Sequence, residues 1–224
     1  ESRDQARKAY DEGYTVLKTK AGRDWHQDVE RIRAMDDEVA GNLRFRLDPN
    51  QGWTLDRAVR ACAKLTDADV YLEYLEQPIR ANSHRELVRL RQRTRQPIAA
   101  NEDTYSEHNP QRLIEAGAVG VFVLDMTPLG GISGLRQIAG IAENAGIAVT
   151  HHCAFDLGIR TAAILHAVHG ITGFSLPIDS TYYAWEEDLL TEPLHLDDGA
   201  LAVPDGPGLG VTIDREALNR YRID

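Results

Sequence analysis

The sequence predicts an α/β fold, a (β/α)8 barrel of the TIM type, and three observations predict it. Short apolar runs, often β-branched and bounded by polar or turn residues, alternate with amphipathic helical stretches. The alternation repeats at about one βα unit per 25 residues, as in a parallel sheet whose strands are joined by helices. Polar residues recur at the ends of the apolar runs, where a barrel carries its chemistry. An open doubly wound sheet is the alternative, but it usually carries a Gly-rich phosphate turn after an early strand, and the sequence has none there.

The strand candidates run over residues 14–17, 43–47, 70–75, 97–100, 119–124, 147–150 and 173–176. The helix candidates run over 25–39, 55–65, 83–93, 110–116, 133–144 and 156–169. Asn109 is placed as a helix N-cap with Pro110 at the first helical position, where its missing N–H has no intrahelical partner to lose. Gly117 and Gly146 fall where helix C-caps are expected, because glycine takes the left-handed conformation without a Cβ penalty. The first residues already read as helix, so a further barrel strand is expected before residue 1. Residues 1–190 are assigned to the barrel. Residues 191–224, with Pro204, Pro207 and several glycines, are assigned to an irregular tail that packs on the barrel or on another domain.

Lys and Arg number 25 against 35 Asp and Glu, a formal net charge of −10. A surface of this sign repels nucleic acid, and no basic stripe or aromatic-interleaved patch offsets it, so no nucleic-acid partner is expected. No run is long and apolar enough to span a membrane, and the charged opening Glu1-Ser2-Arg3-Asp4 does not read as a secretory signal. Cys62 and Cys153 form neither a CxxC pair nor a disulfide framework, which fits a reducing cytoplasm. A carboxylate substrate would be repelled at long range, so its site must be locally positive, from lysines or a metal.

The polar strand ends, in order, are Lys18 and Lys20, Asp48 and Asn50, Glu76, Asn101 and Glu102, Asp125, and His151 and His152. Each set lies about one βα unit after the last, so a barrel gathers them on one rim. Asp48, Glu76 and Glu102 would repel one another unless a cation neutralised them, and hard oxygen donors without paired His or Cys suit Mg²⁺ or Mn²⁺. Taken singly, each acid reads equally well as a solvated loop residue or a helix cap. Lys18 and Lys20 share a face, since alternate strand residues point the same way. Two ammonium groups buried side by side are expected to have lowered pKa values, and a neutral lysine can take a proton from a carbon. The bland alternative is an exposed edge-strand pair. Asp125 and His152 come from adjacent strands, and a carboxylate on an imidazole fixes its tautomer and raises its basicity. His151 would point the other way, so only one of the two histidines is expected to act.

These residues resemble the enolase superfamily, and within it the mandelate racemase and acid-sugar (glucarate-like) dehydratase branch. The resemblance rests on six motifs in order along the chain. They are Lys18-Thr19-Lys20-Ala21-Gly22, Leu47-Asp48-Pro49-Asn50-Gln51-Gly52-Trp53, Leu75-Glu76-Gln77-Pro78, Pro97-Ile98-Ala99-Ala100-Asn101-Glu102, Asp125 through Gly130-Gly131, and Gly146-Ile147-Ala148-Val149-Thr150-His151-His152. It implies that Asp48, Glu76 and a residue after the strand ending at Ala100 bind Mg²⁺, with Glu102 preferred for its charge and Asn101 its rival. It implies that the metal acidifies the α-proton of a small-molecule carboxylate and stabilises the enediolate. In that picture Lys20 faces the substrate as base, Lys18 lies near its carboxylate, Asn50 contacts it, and Asp125–His152 works from the other side. The implied activity is dehydration of an acid sugar to a 2-keto acid by a homo-oligomeric enzyme. The alternatives are a racemase or epimerase on the same site, or a barrel without chemistry. Members similar to muconate cycloisomerase carry a lysine where this chain has Asp125, which speaks against that branch. The mandelate racemase branch also carries an acid on its last strand, and here none precedes Asp179 in the following loop. The family's N-terminal α+β capping domain, like the first strand, is expected to lie outside these residues.

Overall fold

The computed structural model describes residues 1–106 and 108–223. Helix α1 (Ser2–Asp11) precedes a run of βα units: β1 (Val16–Lys20), α2 (Trp25–Val39), β2 (Arg44–Asp48), α3 (Leu55–Asp67), β3 (Tyr74–Glu76), α4 (His84–Arg91), β4 (Ile98–Ala100), α5 (Asn109–Glu115), β5 (Val121–Leu124), α6 (Ile132–Asn144), β6 (Ala148–His151) and α7 (Gly158–Gly170). The six strands form one parallel sheet in the order β1-β2-β3-β4-β5-β6, with helices alongside. This is the expected barrel in an open, incompletely closed form. Asp24 and Thr54 start α2 and α3 by accepting hydrogen bonds from His26 N and Arg57 N. Gly117 and Gly146 follow α5 and α6 at φ +61° and +68°, as their lack of a Cβ permits.

Two local expectations fail. Residues 173–176 run beside β6 but build no ladder. Ser175 N and Leu176 N both donate to the Val149 carbonyl, at 3.0 and 3.1 Å, and Pro177 has no N–H with which to continue. Asn109 is not the N-cap of α5: His108 holds that position, and the Asn109 side chain donates instead to Asn82 Oδ1 at 3.2 Å.

Strand alternation divides the core in two. Phe45, Leu47, Leu75, Ile98, Phe122, Leu124 and Val149 point outward and are buried in the main hydrophobic core with side chains of the helices. Tyr74, Ala99, Val121 and Val123 point inward and pack with Ala148 and Leu176 as the filling of the barrel. On β1 and β2 the inward positions are instead Lys18 and Arg46, so the interior is apolar on one side and charged on the other. The tail forms an antiparallel pair, β7 (Leu196–Asp197) and β8 (Ala200–Leu201), before α8 (Arg215–Tyr221). Asp198 and Gly199 turn it at φ +45° and +68°, the left-handed pair of a type I′ hairpin. Leu194, Leu201, Val203, Leu209 and Val211 of the tail pack in one cluster with Ala162 and Leu165 of α7. The tail as assigned from the sequence ends on Asp224, which lies outside the described residues. No described helix is long and apolar enough to cross a membrane.

Candidate active site

The parallel register sets Lys18 beside Arg46 and Lys20 beside Asp48. With a side-chain period of two, Lys18, Lys20, Arg46, Asp48, Tyr74 and Glu76 therefore share the inner face. Lys18 Nζ is the centre of this side. It lies 2.6 Å from Glu76 Oε2, 2.9 Å from Asp179 Oδ2 and 3.5 Å from Asp48 Oδ2. Lys20 Nζ meets Asp48 Oδ2 at 2.6 Å from a position 56% exposed at the mouth. Burial opposes the Lys18 ammonium, but Asp179, Glu76 and Asp48 more than offset it and hold its pKa well above the ordinary lysine range. The sequence expectation of a depressed pKa is thus corrected for Lys18: its neighbours are three acids, one of which, Asp48, it shares with Lys20. Burial, with Asp48 and Asp179 adding to it, pushes the Glu76 carboxyl upward against the pull of Lys18.

Arg46 and Asp179 are site neighbours that the sequence did not announce. Arg46, 1% exposed, donates from Nε to Glu73 Oε2 at 2.5 Å, from Nη1 to Asp179 Oδ1 at 2.6 Å and from Nη2 to the Pro177 carbonyl at 2.8 Å. Its guanidinium lies 4.8 Å from the centre of the Tyr74 ring. Asp179, read from sequence as a loop acid, is buried between Lys18 and Arg46, and its N–H donates to the His151 carbonyl at 3.0 Å. It stands where the run after α7 passes β6. The signal for Arg46 was its parity with Asp48, two residues on.

Alternation also separates Asn101 from Glu102. Asn101 continues the inward face of Ala99, is buried, donates from Nδ2 to the Val123 carbonyl at 2.8 Å and accepts from Tyr105 OH at 3.0 Å. Glu102 opens a short 3₁₀ turn and accepts from Gln51 Nε2 at 2.8 Å. Asn50 is exposed at the mouth, its N–H donating to Asp48 Oδ1 at 2.8 Å. Among the described residues no three His, Cys, Asp or Glu side chains stand together to hold a metal ion. Asp48 and Glu76 nevertheless already share one cation, the Lys18 ammonium, and carboxylate and amide oxygens are the donors a hard divalent ion takes. Asp48 and Glu76 are donors of the kind such an ion takes, and Asn101 lies on the inward face by strand parity.

Across the mouth, His152 Nδ1 faces Asp125 Oδ2 at 3.4 Å. Burial alone would raise the Asp125 carboxyl. Hydrogen bonds from His152 and from Thr127 N, and the charge of Arg160, hold it below the usual range. Arg160 Nη2 reaches Asp125 Oδ1 at 2.6 Å. His151 points outward and is fully buried, with Nδ1 2.5 Å from the His152 carbonyl and Nε2 accepting from Met126 N at 3.3 Å. Burial pushes its pKa down to about 4, so the neutral ring is the stable one. The rim thus carries a caged lysine and an exposed lysine over buried carboxylates, with a carboxylate-held imidazole facing them.

Comparison with known proteins gives a consistent result. The family model "Enolase C-terminal domain-like" matches residues 1–217. A probable glucarate dehydratase of Streptomyces coelicolor is 34% identical over 92% of this chain and 47% of its own length. An L-Lys-D/L-Arg epimerase of Methylococcus capsulatus is 33% identical over 89% of this chain and 56% of its own. The crystal structure of muconate cycloisomerase from Pseudomonas fluorescens superposes with a TM-score of 0.93 at 30% identity, covering 99% of this chain and 62% of that one. The chain therefore spans about half the length of the curated relatives it matches.

Proposed function

This chain belongs to the enolase C-terminal domain-like family, and we propose that its barrel mouth removes the proton next to a substrate carboxylate and expels a β-hydroxyl, as a dehydratase of acid sugars. The observation that carries the reading is the strand order. Lys20 on β1 and the Asp125–His152 pair at the ends of β5 and β6 lie on either side of the buried carboxylates of β2 and β3. Two proton carriers flanking a cation-binding centre, through which a substrate carboxylate can be held, are what elimination requires.

Asp48 and Glu76, with Asn101 favoured by parity and Glu102 as its neighbour, would hold Mg²⁺, or Mn²⁺ in its place. Bound there, the ion would make the α-proton more acidic by withdrawing charge from the substrate carboxylate. Lys18, fixed by Asp179 and Glu76, keeps a positive charge beside that carboxylate. Lys20, acting as the free amine, takes the proton from Cα, and the electron pair left behind forms the Cα–Cβ double bond as the Cβ–O bond breaks. His152 delivers a proton to the departing oxygen, so that water leaves, and Asp125 holds its ring while the charge changes. The enol product then tautomerises to the 2-keto acid. The similarity to a probable glucarate dehydratase supports this reaction class.

A second reading, racemisation or epimerisation, uses the same two groups without a leaving group, and the similarity to an L-Lys-D/L-Arg epimerase favours it. The test is a screen of the whole protein with Mg²⁺ against acid sugars, detecting 2-keto acids. The dehydratase reading expects a product that disappears with EDTA and in Lys20→Ala. Deuterium entering Cα from solvent without keto acid would replace it with the epimerase reading, and neither signal on any acid would sink both.

A further inference from the structure

Arg160 lies in the first turn of α7, at the helix end where the dipole disfavours a cation. Its side chain nevertheless turns in toward the mouth, 26% exposed, between two aspartates. Nη2 donates to Asp125 Oδ1 at 2.6 Å and Nη1 meets Asp156 Oδ1 at 2.7 Å. Asp125 Oδ1 also accepts from Thr127 N at 2.8 Å, which leaves Oδ2 to His152 Nδ1. The carboxylate is thereby divided, with one oxygen engaged by two donors and the other facing the imidazole. Turning the carboxylate about its Cβ–Cγ bond would break a charge-assisted hydrogen bond, about twice as strong as a neutral one. Asp156 lies on the other side of the guanidinium as an ion-pair neighbour, and is itself tied by Ala154 N at 3.3 Å and, through its carbonyl, by Trp185 Nε1 at 2.9 Å.

We infer that Arg160 is a positioning residue for the Asp125–His152 pair, pinning Asp125 so that Oδ2 stays on the Nδ1–H of His152 and Nε2 is the nitrogen left to the substrate. The role of His152 in this sentence rests on the proposed function, whereas the pinning does not. Arg160 acts through Asp125 and need not touch substrate.

The test is a ¹H–¹⁵N spectrum of the histidine side chains of the intact protein. The Nδ1–H of His152, assigned by its loss in His152→Asn, should exchange slowly with water. Arg160→Met should speed that exchange about tenfold, the loss of roughly one charge-assisted hydrogen bond. Arg160→Lys, a point charge without the planar fork that directs Nη2 at Asp125 Oδ1, should restore part of the protection. Asp156→Asn should leave it intact, because the Arg160–Asp125 contact survives. Unchanged exchange in Arg160→Met would overturn the inference. So would equal loss in Asp156→Asn, which would make the effect a loosening of the start of α7. If Arg160→Met does not fold, faster exchange in Arg160→Lys with retention in Asp156→Asn supports the inference, and the opposite pattern overturns it. With a substrate in hand, kcat in Arg160→Lys should fall about 10- to 100-fold at nearly constant KM. A protein inert on every acid sugar but showing the exchange effect would sink the proposed function and leave the pinning standing.

Discussion

On the β1–β2 side of the mouth, charged groups are locked against one another. Lys18 touches three carboxylates, and Arg46 spends its guanidinium on Glu73, Asp179 and a backbone carbonyl. On the β5–β6 side the arrangement is sparse: Asp125, one imidazole nitrogen and Arg160, the last two partly exposed. Similar residue types thus serve two purposes. A dense buried network resists movement because breaking any contact strands a charge in a poorly solvated place. On the sparse side a single polar contact holds the His152 ring, so the ring can move with little rearrangement of its neighbours. The first side holds a fixed charge pattern, and the second holds an imidazole on a single polar contact, the side to which the proposed proton transfer is assigned.

The largest effect expected from breaking this contrast is in the locked side. Arg46→Ala takes from buried Glu73 and Asp179 the cation they share, leaving Arg44 and Lys18 as their remaining partners, and should destabilise the protein by about 3 kcal/mol, the lower end for breaking a buried pair. Urea unfolding measures it. A loss below about 1 kcal/mol would mean the network is as soft as an exposed pair, and the comparison would fail.

His151 gives the next effect, and it lies behind the sparse side rather than in it. Its folded pKa of about 4 is below the ordinary 6.5. The unfolded chain therefore binds the proton first as pH falls, and stability rises with pH across that interval. The contribution is complete above pH 6.5 and is lost progressively as pH falls toward 4, up to roughly 3 kcal/mol. His151→Gln, which keeps a donor and an acceptor, should flatten this part of the stability curve against pH. An unchanged slope would show that His151 does not titrate with unfolding.

Much of this was legible in the sequence, and what was not has physical reasons. Helix α2 falls on the predicted residues 25–39 because Asp24 caps it and its apolar positions keep a helical period. The strands could be placed because their outward residues are apolar. Their ends shifted by a few residues, since a strand that turns polar at the barrel mouth loses its pattern there: β1 runs through Lys18 and Lys20. Residues 173–176 had the composition of a strand but not the hydrogen bonds, with Pro177 next in line. Among site residues, Lys18, Lys20, Asp48, Glu76, Asp125 and His152 could be listed because each ends an apolar run. Arg46 had only its parity with Asp48 to mark it, and Arg160 could not be listed, since a lone arginine in a strand or a first helical turn ordinarily reads as solvated. Their partners Asp179 and Asp125 lie 133 and 35 residues away, and only the fold brings them together. Which of Asn101 and Glu102 faces inward depends on the phase of the strand alternation, which a three-residue strand barely expresses in sequence.

The smallest stability effect is expected where the proposed chemistry is greatest, and it sharpens the comparison most. His152 is 16% exposed at the side chain, and its described ring contact is one 3.4 Å approach to Asp125. Arg160 and Thr127 N still hold Asp125 Oδ1 when that contact goes. His152→Asn should therefore change unfolding free energy by less than about 1 kcal/mol, the range of weakly held pairs. If His152 carries the proton to the leaving group, the same substitution should lower turnover of an acid-sugar substrate by about 10²–10⁴-fold. The two measurements belong together, because each alone has another explanation: a stable variant with full activity has lost a bystander, and an inactive variant that unfolds easily has lost its barrel. Only a stable and inactive variant fits a side of the mouth built to move a proton. A His152→Asn protein destabilised as much as Arg46→Ala would show instead that both sides are structural, and the division of labour drawn from their geometry would have to be given up.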